Sequence, residues 1–124
     1  MKKLLCLSLA ALVSTSSMGA DWEDNGANTI GDKYYIDTSS IDNSGPYTRF
    51  WVKSISKKSK TSKPKDTQKS IMLYEMSCSS KQYRAISGIF YNFDGSIDRE
   101  SDITDWDYVP PDSVIDTIMQ KVCN

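Results

Sequence analysis

The 124-residue sequence has three cysteines and no histidine, and that combination bounds its chemistry. Without an imidazole there is no Ser-His-Asp or Cys-His nucleophile, and no histidine can serve as a metal ligand. Carboxylates are plentiful: Asp98 and Glu100 alternate on one face of a short charged segment, and Asp102, Asp105 and Asp107 follow. A glycosidase needs two carboxyl groups facing each other across a cleft. These are consecutive in the chain and read as a solvated acidic edge. The stretch Asp94-Gly95-Ser96-Ile97-Asp98 misses the spacing of an EF-hand calcium loop. No catalytic residue, metal ligand or cofactor is assigned, and the expectation is a protein that is not an enzyme.

Two other groups of residues could recognise a partner. Between Lys57 and Lys69 there are six lysines and one acid, Asp66. Within this run Lys57, Lys58, Lys60 and Lys63 form a candidate polyanion-binding segment, because clustered cations raise the local concentration of an anionic partner. The run has no interleaved aromatics on which bases could stack, which points away from nucleic acid. The opposite charge collects between Asp94 and Asp116, with eight acids and one base, Arg99. Trp51, inside an aromatic and β-branched stretch, is the candidate contact on a sheet face.

The start of the chain says where such contacts occur. Lys2 and Lys3 precede an apolar run from Leu4 to Val13 and a small, polar stretch from Ser14 to Ala20, the three-part layout of a secretory signal. The run is too short to cross about 30 Å of hydrocarbon, which needs roughly 20 residues. Ser17 and Gly19 occupy the small-residue positions, so residues 1–19 are read as the signal and 20–124 as the exported domain. Cys6 lies near the start of the apolar run, not at its end where a lipid anchor would need it, so no anchor is expected. Removing Lys2 and Lys3 leaves 13 basic residues against 16 acidic ones, a net charge of −3. The expected location is the periplasm or the cell exterior, with no membrane span.

Export also permits a disulfide. Two cysteines remain after the signal, Cys78 and Cys123, so a single intramolecular pairing exists. A domain this small stabilises weakly on its core alone, and closing a loop of about 46 residues adds roughly 4 kcal/mol in the chain-entropy account.

The elements that must position these groups follow from periodicity. Asp21 to Gly31 reads as an irregular lead-in, with Trp22 tucked toward the core. Lys33–Asp37, Tyr47–Ile55, Ile71–Cys78, Gln82–Asn92 and Ser96–Ser101 read as strands, with Lys57–Lys69 as a solvated loop. Phe50 and Val52 share one strand face and Tyr47, Trp51 and Ile55 the other, so both faces carry apolar groups, as in a central strand or one whose second face meets a partner. That partner could be a second copy of this chain. Asp94-Gly95 predicts a hairpin with positive φ at both central residues. Val114, Ile115, Ile118, Met119 and Val122 form a helical stripe, predicted to run from Pro111, whose missing N–H suits a first turn. A Cys78–Cys123 bond pins that helix to the strand face carrying Met72, Tyr74 and Met76. The fold class is α+β: an antiparallel sheet of five to six strands with one C-terminal helix packed on a face and tethered by a disulfide.

The order of these features resembles the surface-adhesin protein E family of bacterial exported proteins. The resemblance rests on Trp22, the Tyr34–Asp37 strand followed by Ser40-Ile41, and Phe50 to Lys53. It continues through Ser70 to Cys78, Tyr83-Arg84, the Tyr91–Gly95 hairpin, Trp106, Pro111, Ser113 and the closing Val122-Cys123. It implies an antiparallel sheet with a disulfide-tethered helix, and adhesion to envelope components or to host matrix or plasma proteins. A second reading of the same size, export signal and disulfide is a periplasmic inhibitor of a hydrolase such as lysozyme, whose basic surface would suit the acidic stretch.

Overall fold

The computed structural model describes residues 19–58 and 66–124. Residues 1–18, which hold most of the expected signal, and Lys60 and Lys63 lie outside the described residues. The elements run β1 (Trp22–Ala27), β2 (Lys33–Asp37), a 3₁₀ turn (Thr38–Ser40), β3 (Thr48–Ile55), β4 (Thr67–Ser77), β5 (Gln82–Asn92), β6 (Ile97–Glu100), β7 (Asp107–Tyr108) and α1 (Val114–Val122). The strands form one seven-stranded antiparallel sheet in the order β1-β2-β3-β4-β5-β6, with β7 paired to the start of β5. Every neighbour along the six-strand path is also the next strand in sequence, a meander that short turns can build.

Alternation along the strands divides the sheet into two faces. Ile36, Phe50, Val52 and Met76 point to one side, where Ile118 and Val122 of α1 meet them to form the buried core. Tyr34, Tyr74 and Tyr83 pack around it, and Val114, Ile115 and Met119 extend the helical contact. The disulfide joins Cys78, just past β4, to Cys123, just past α1, with Cα atoms 5.7 Å apart. Strand faces, helical stripe and crosslink agree with the fold class expected from sequence.

Besides the unexpected two-residue β7 and one-residue shifts at strand ends, four features differ from expectation. The helix starts at Val114, not Pro111: the Ser113 hydroxyl accepts from the Asp116 N–H at 3.1 Å, and Asp112 takes a left-handed φ of 58° that helical backbone cannot continue through. Pro111 therefore lies outside the first turn. The lead-in is an edge strand, because Trp22, Glu23 and Asp24 pair with Asp37, Ile36 and Tyr35. Trp22 consequently lies on the face away from α1. Strand β4 begins four residues early, at Thr67, so Lys69 belongs to a strand and not to the lysine loop. At the β5–β6 hairpin Gly95 alone takes positive φ, at 83°, with its N–H bonded to Asn92 O. That is a turn ending in a left-handed glycine, not the two-residue form.

Candidate functional site

The face away from α1 has no second layer among the described residues, and the strand register lays out its side chains as cross-strand rows. One row reads Lys33, Ile55, Lys69, Tyr91 and Ile97, and the next Tyr35, Lys53, Ile71, Ile89 and Arg99. A third joins Trp51, Leu73 and Ser87, and a fourth Arg49, Glu75 and Arg84. The middle of the face is thus apolar, with Trp51 half-buried between strands and its backbone N–H bonded to Ser40 Oγ at 3.0 Å.

Cations sit on aromatic rings around that middle. Lys53 Nζ lies 4.7 Å from the ring centre of Trp22 and 5.0 Å from that of Tyr35. Lys69 Nζ lies 4.5 Å from Tyr91, and the Arg84 guanidinium 4.4 Å from Trp106 and 5.8 Å from Tyr47. Each such pair contributes about 0.5–1 kcal/mol at an exposed site. Their larger consequence is to hold long, rotamer-rich side chains in place before any partner arrives.

At one end of the face stands a buried charge. Glu75 is 4% exposed and accepts hydrogen bonds from Arg49 Nε and Arg84 Nε, each at 2.8 Å, with Arg84 Nη2 in ion-pair contact at 2.7 Å. Burial alone would push its carboxyl up, but the hydrogen bonds from Arg84 and Arg49 outweigh this and hold it below the usual carboxylate range. A cleft of about 430 Å³ opens beside it, lined by Asp42, Ser44, Tyr47, Arg49, Glu75 and Arg84.

The sign of the pH dependence follows. A carboxyl whose folded pKa lies below its unfolded value of about 4.3 stabilises the fold above that value and loses the contribution as pH falls through the folded one. Glu75→Gln should cost about 1.5–3 kcal/mol at pH 7, the range for a hydrogen bond to a charged group. As pH falls below about 4.3 the parent should lose this advantage and converge on the variant, since the unfolded chain then takes up a proton that the folded Glu75, held by Arg49 and Arg84, resists until pH passes its lowered pKa. Thermal melts of both proteins from pH 7 to pH 3 check this; two acid limbs that stay parallel would refute it.

Of the residues singled out from sequence, Trp51 lies at the centre of this face. Lys57 and Lys58 follow β3 as exposed residues, with the Lys57 N–H bonded to Asp32 at 3.0 Å. The carboxylates Asp98, Glu100, Asp102, Asp105 and Asp107 are all exposed, and among the described residues no group of three or more acidic or cysteine side chains is placed to hold a metal ion. Lys53, Lys69 and the Arg49–Glu75–Arg84 cluster were not singled out. The alternation of Arg49, Trp51 and Lys53 could have flagged one strand, but the cross-strand partners depend on register.

The described residues thus form a small antiparallel meander with α1 packed on one face and Trp51 at the centre of the other. The family model for surface-adhesin protein E matches residues 22–124, and the chain belongs to that family. Membership makes it an adhesin-like binding protein of the exported or cell-surface kind. Two solved structures of Haemophilus influenzae protein E share the fold. One, in crystal form II, has 22% identity over 73% of this chain and 79% of that chain with a TM-score of 0.54; the other has 21% identity over 73% and 76% with a TM-score of 0.51. No curated protein matches the sequence. Among the described residues no helix is long and apolar enough to cross a membrane.

Proposed function

We propose that this protein is an exported, non-enzymatic adhesin that binds a protein of the envelope, host matrix or plasma through the open sheet face centred on Trp51. In this reading residues 1–19 are the export signal and 20–124 the working domain. The observation that carries the proposal is the composition of the uncovered face: Trp51, Leu73, Ile71 and Ile89 in the middle, with Lys53 and Arg84 held on aromatic rings at its margins. Tryptophan, tyrosine and arginine dominate the energetics of protein interfaces, and pre-positioned side chains lose less entropy on binding.

Trp51→Ala should weaken capture of such a protein, tested on immobilised matrix and plasma proteins and on envelope extract, by about 2 kcal/mol or more, roughly 30-fold. The fold should survive, because the core packs on the opposite face. Undiminished binding by a folded Trp51→Ala protein would remove the open face from consideration. A second reading has its own support in the exposed acids Asp98, Asp102, Asp105 and Asp107, which suit a basic hydrolase such as lysozyme. A hydrolase inhibition assay separates the two.

A further inference from the structure

The cations of the open face fall into two groups in different electrostatic situations. At one end Arg49 and Arg84 are engaged by Glu75, and the Asp42 carboxylate also feels Arg49. At the other end Lys33 of β2, Lys53 of β3, Lys69 of β4 and Arg99 of β6 lie in two adjacent cross-strand rows spread over the sheet. Three ion pairs form among the described residues, two at Glu75 and one between Lys121 and Glu23, and none uses these four cations. Asp24 is the one carboxylate that the register places on this half of the face, and its Oδ1 accepts from the Gly26 N–H at 2.7 Å. Asp32, Asp66 and Asp94 lie in the flanking turns. A chain of formal net charge −1 thus carries a four-to-one cationic excess on one half of one face.

Resting on the reading that the open face is the binding surface, we propose that this half is a site for a sulfated polysaccharide laid across the sheet from β2 to β6. Strands are about 4.8 Å apart, so Lys33 and Lys69, in one row on either side of β3, are about 10 Å apart, with Lys53 between them one row away. That presents a repeating set of positive charges to a polymer with repeating anions. Three of the four cations are lysines, compact point charges that accept an oxyanion from any direction. Carboxylates of an acidic polypeptide favour the bidentate arginine fork, and the two arginines of the other half already serve Glu75. Lys53 and Lys69 are further held on Trp22, Tyr35 and Tyr91, so the array is set before the polymer binds.

The test uses heparin as the probe, with fully desulfated heparin and polyglutamate as comparisons. The parent should bind heparin, and raising salt from about 50 to about 200 mM should weaken binding roughly 100-fold, the counterion-release scale for about four contacts to a duplex polyanion. Lys53→Gln/Lys69→Gln should lose about tenfold or more on the same scale, and Lys53→Arg/Lys69→Arg should restore most of it, which separates lost charge from lost packing. Replacing Lys57, Lys58, Lys60 and Lys63 by Ser should leave most of the affinity. Desulfated heparin and polyglutamate should bind the parent at least an order of magnitude more weakly. The proposal is overturned if the parent ignores heparin, if the glutamine variant binds like the parent, if the arginine variant fails to recover, if the loop variant alone abolishes binding, or if polyglutamate matches heparin. Trp51→Ala, assayed against a protein ligand in parallel, shows whether the wider reading of the open face stands when this one does not.

Discussion

Cys78→Ser/Cys123→Ser should be about 2–5 kcal/mol less stable than the oxidised parent, with a melting temperature lower by roughly 10–20 °C. The bridge spans 45 residues of sequence, and freeing a loop of that size returns about 4 kcal/mol of chain entropy to the unfolded state. The native geometry offers little to offset that, because the Cα separation of 5.7 Å lies inside the range an unforced disulfide adopts. The loss should also be local. Cys123 follows directly on Val122, which is 1% exposed, so the bond fastens the C-terminal end of α1 where its core contact is tightest. Replacing both cysteines keeps a free thiol from forming intermolecular bridges. Urea titrations of the two proteins measure the difference, and a reducing agent should bring the parent to the variant's midpoint. Equal midpoints would mean that the sheet and helix hold without the crosslink.

What the sequence discloses about this fold depends on how much of each element is buried. Gln82–Asn92 spans the sheet between two neighbours, and its strand was legible to the residue. The stripe from Val114 to Val122 was legible because a helix on a sheet must have one apolar side. The edge β1 was not: one of its sides lacks a strand, its burial pattern is mostly exposed, and backbone bonds to β2 order it without any apolar alternation. Thr67, Gln68 and Lys69 were read as loop for the same reason, being polar residues on a projecting strand end. Pro110-Pro111 suggested a helix start, but the hydroxyl of Ser113 two residues on sets the boundary.

The candidate site divides along the same line. Trp51 was visible because alternation in a single strand puts it opposite Phe50 and Val52. The row of Arg49, Glu75 and Arg84 draws on three strands, and a one-residue slip of any of them would send its member to the core face. The same holds for Lys33, Lys53 and Lys69. The lysine loop stood out because its charges are adjacent in sequence, whereas the face charges become neighbours only after pairing. Adjacency in sequence is a poor guide to the charge pattern of a sheet.

Ile118→Ala should cost about 2–5 kcal/mol in the disulfide-bonded protein, and measurably less once the cysteines are removed. Ile118 is 2% exposed and packs in the cluster with Ile36, Phe50, Val52, Met76 and Val122, so truncation leaves a cavity the sheet cannot close. The helix has nine residues, too few to persist alone in water, and it depends on docking. With the tether intact, α1 cannot leave the sheet, and the whole cost of the cavity appears in the stability. Without it, α1 can undock while the sheet remains paired, and the most that Ile118→Ala can then remove is the docking free energy itself. The remaining anchors at the helix ends are modest: the Ser113 cap, and an ion pair between Lys121 and Glu23 whose members are 30% and 54% exposed. The two changes should therefore be sub-additive, with a coupling of about 1 kcal/mol or more. Urea titrations of the four proteins in this cycle measure it. Additivity within about 0.5 kcal/mol would show that α1 stays docked without its crosslink, and that the disulfide acts on the unfolded chain alone.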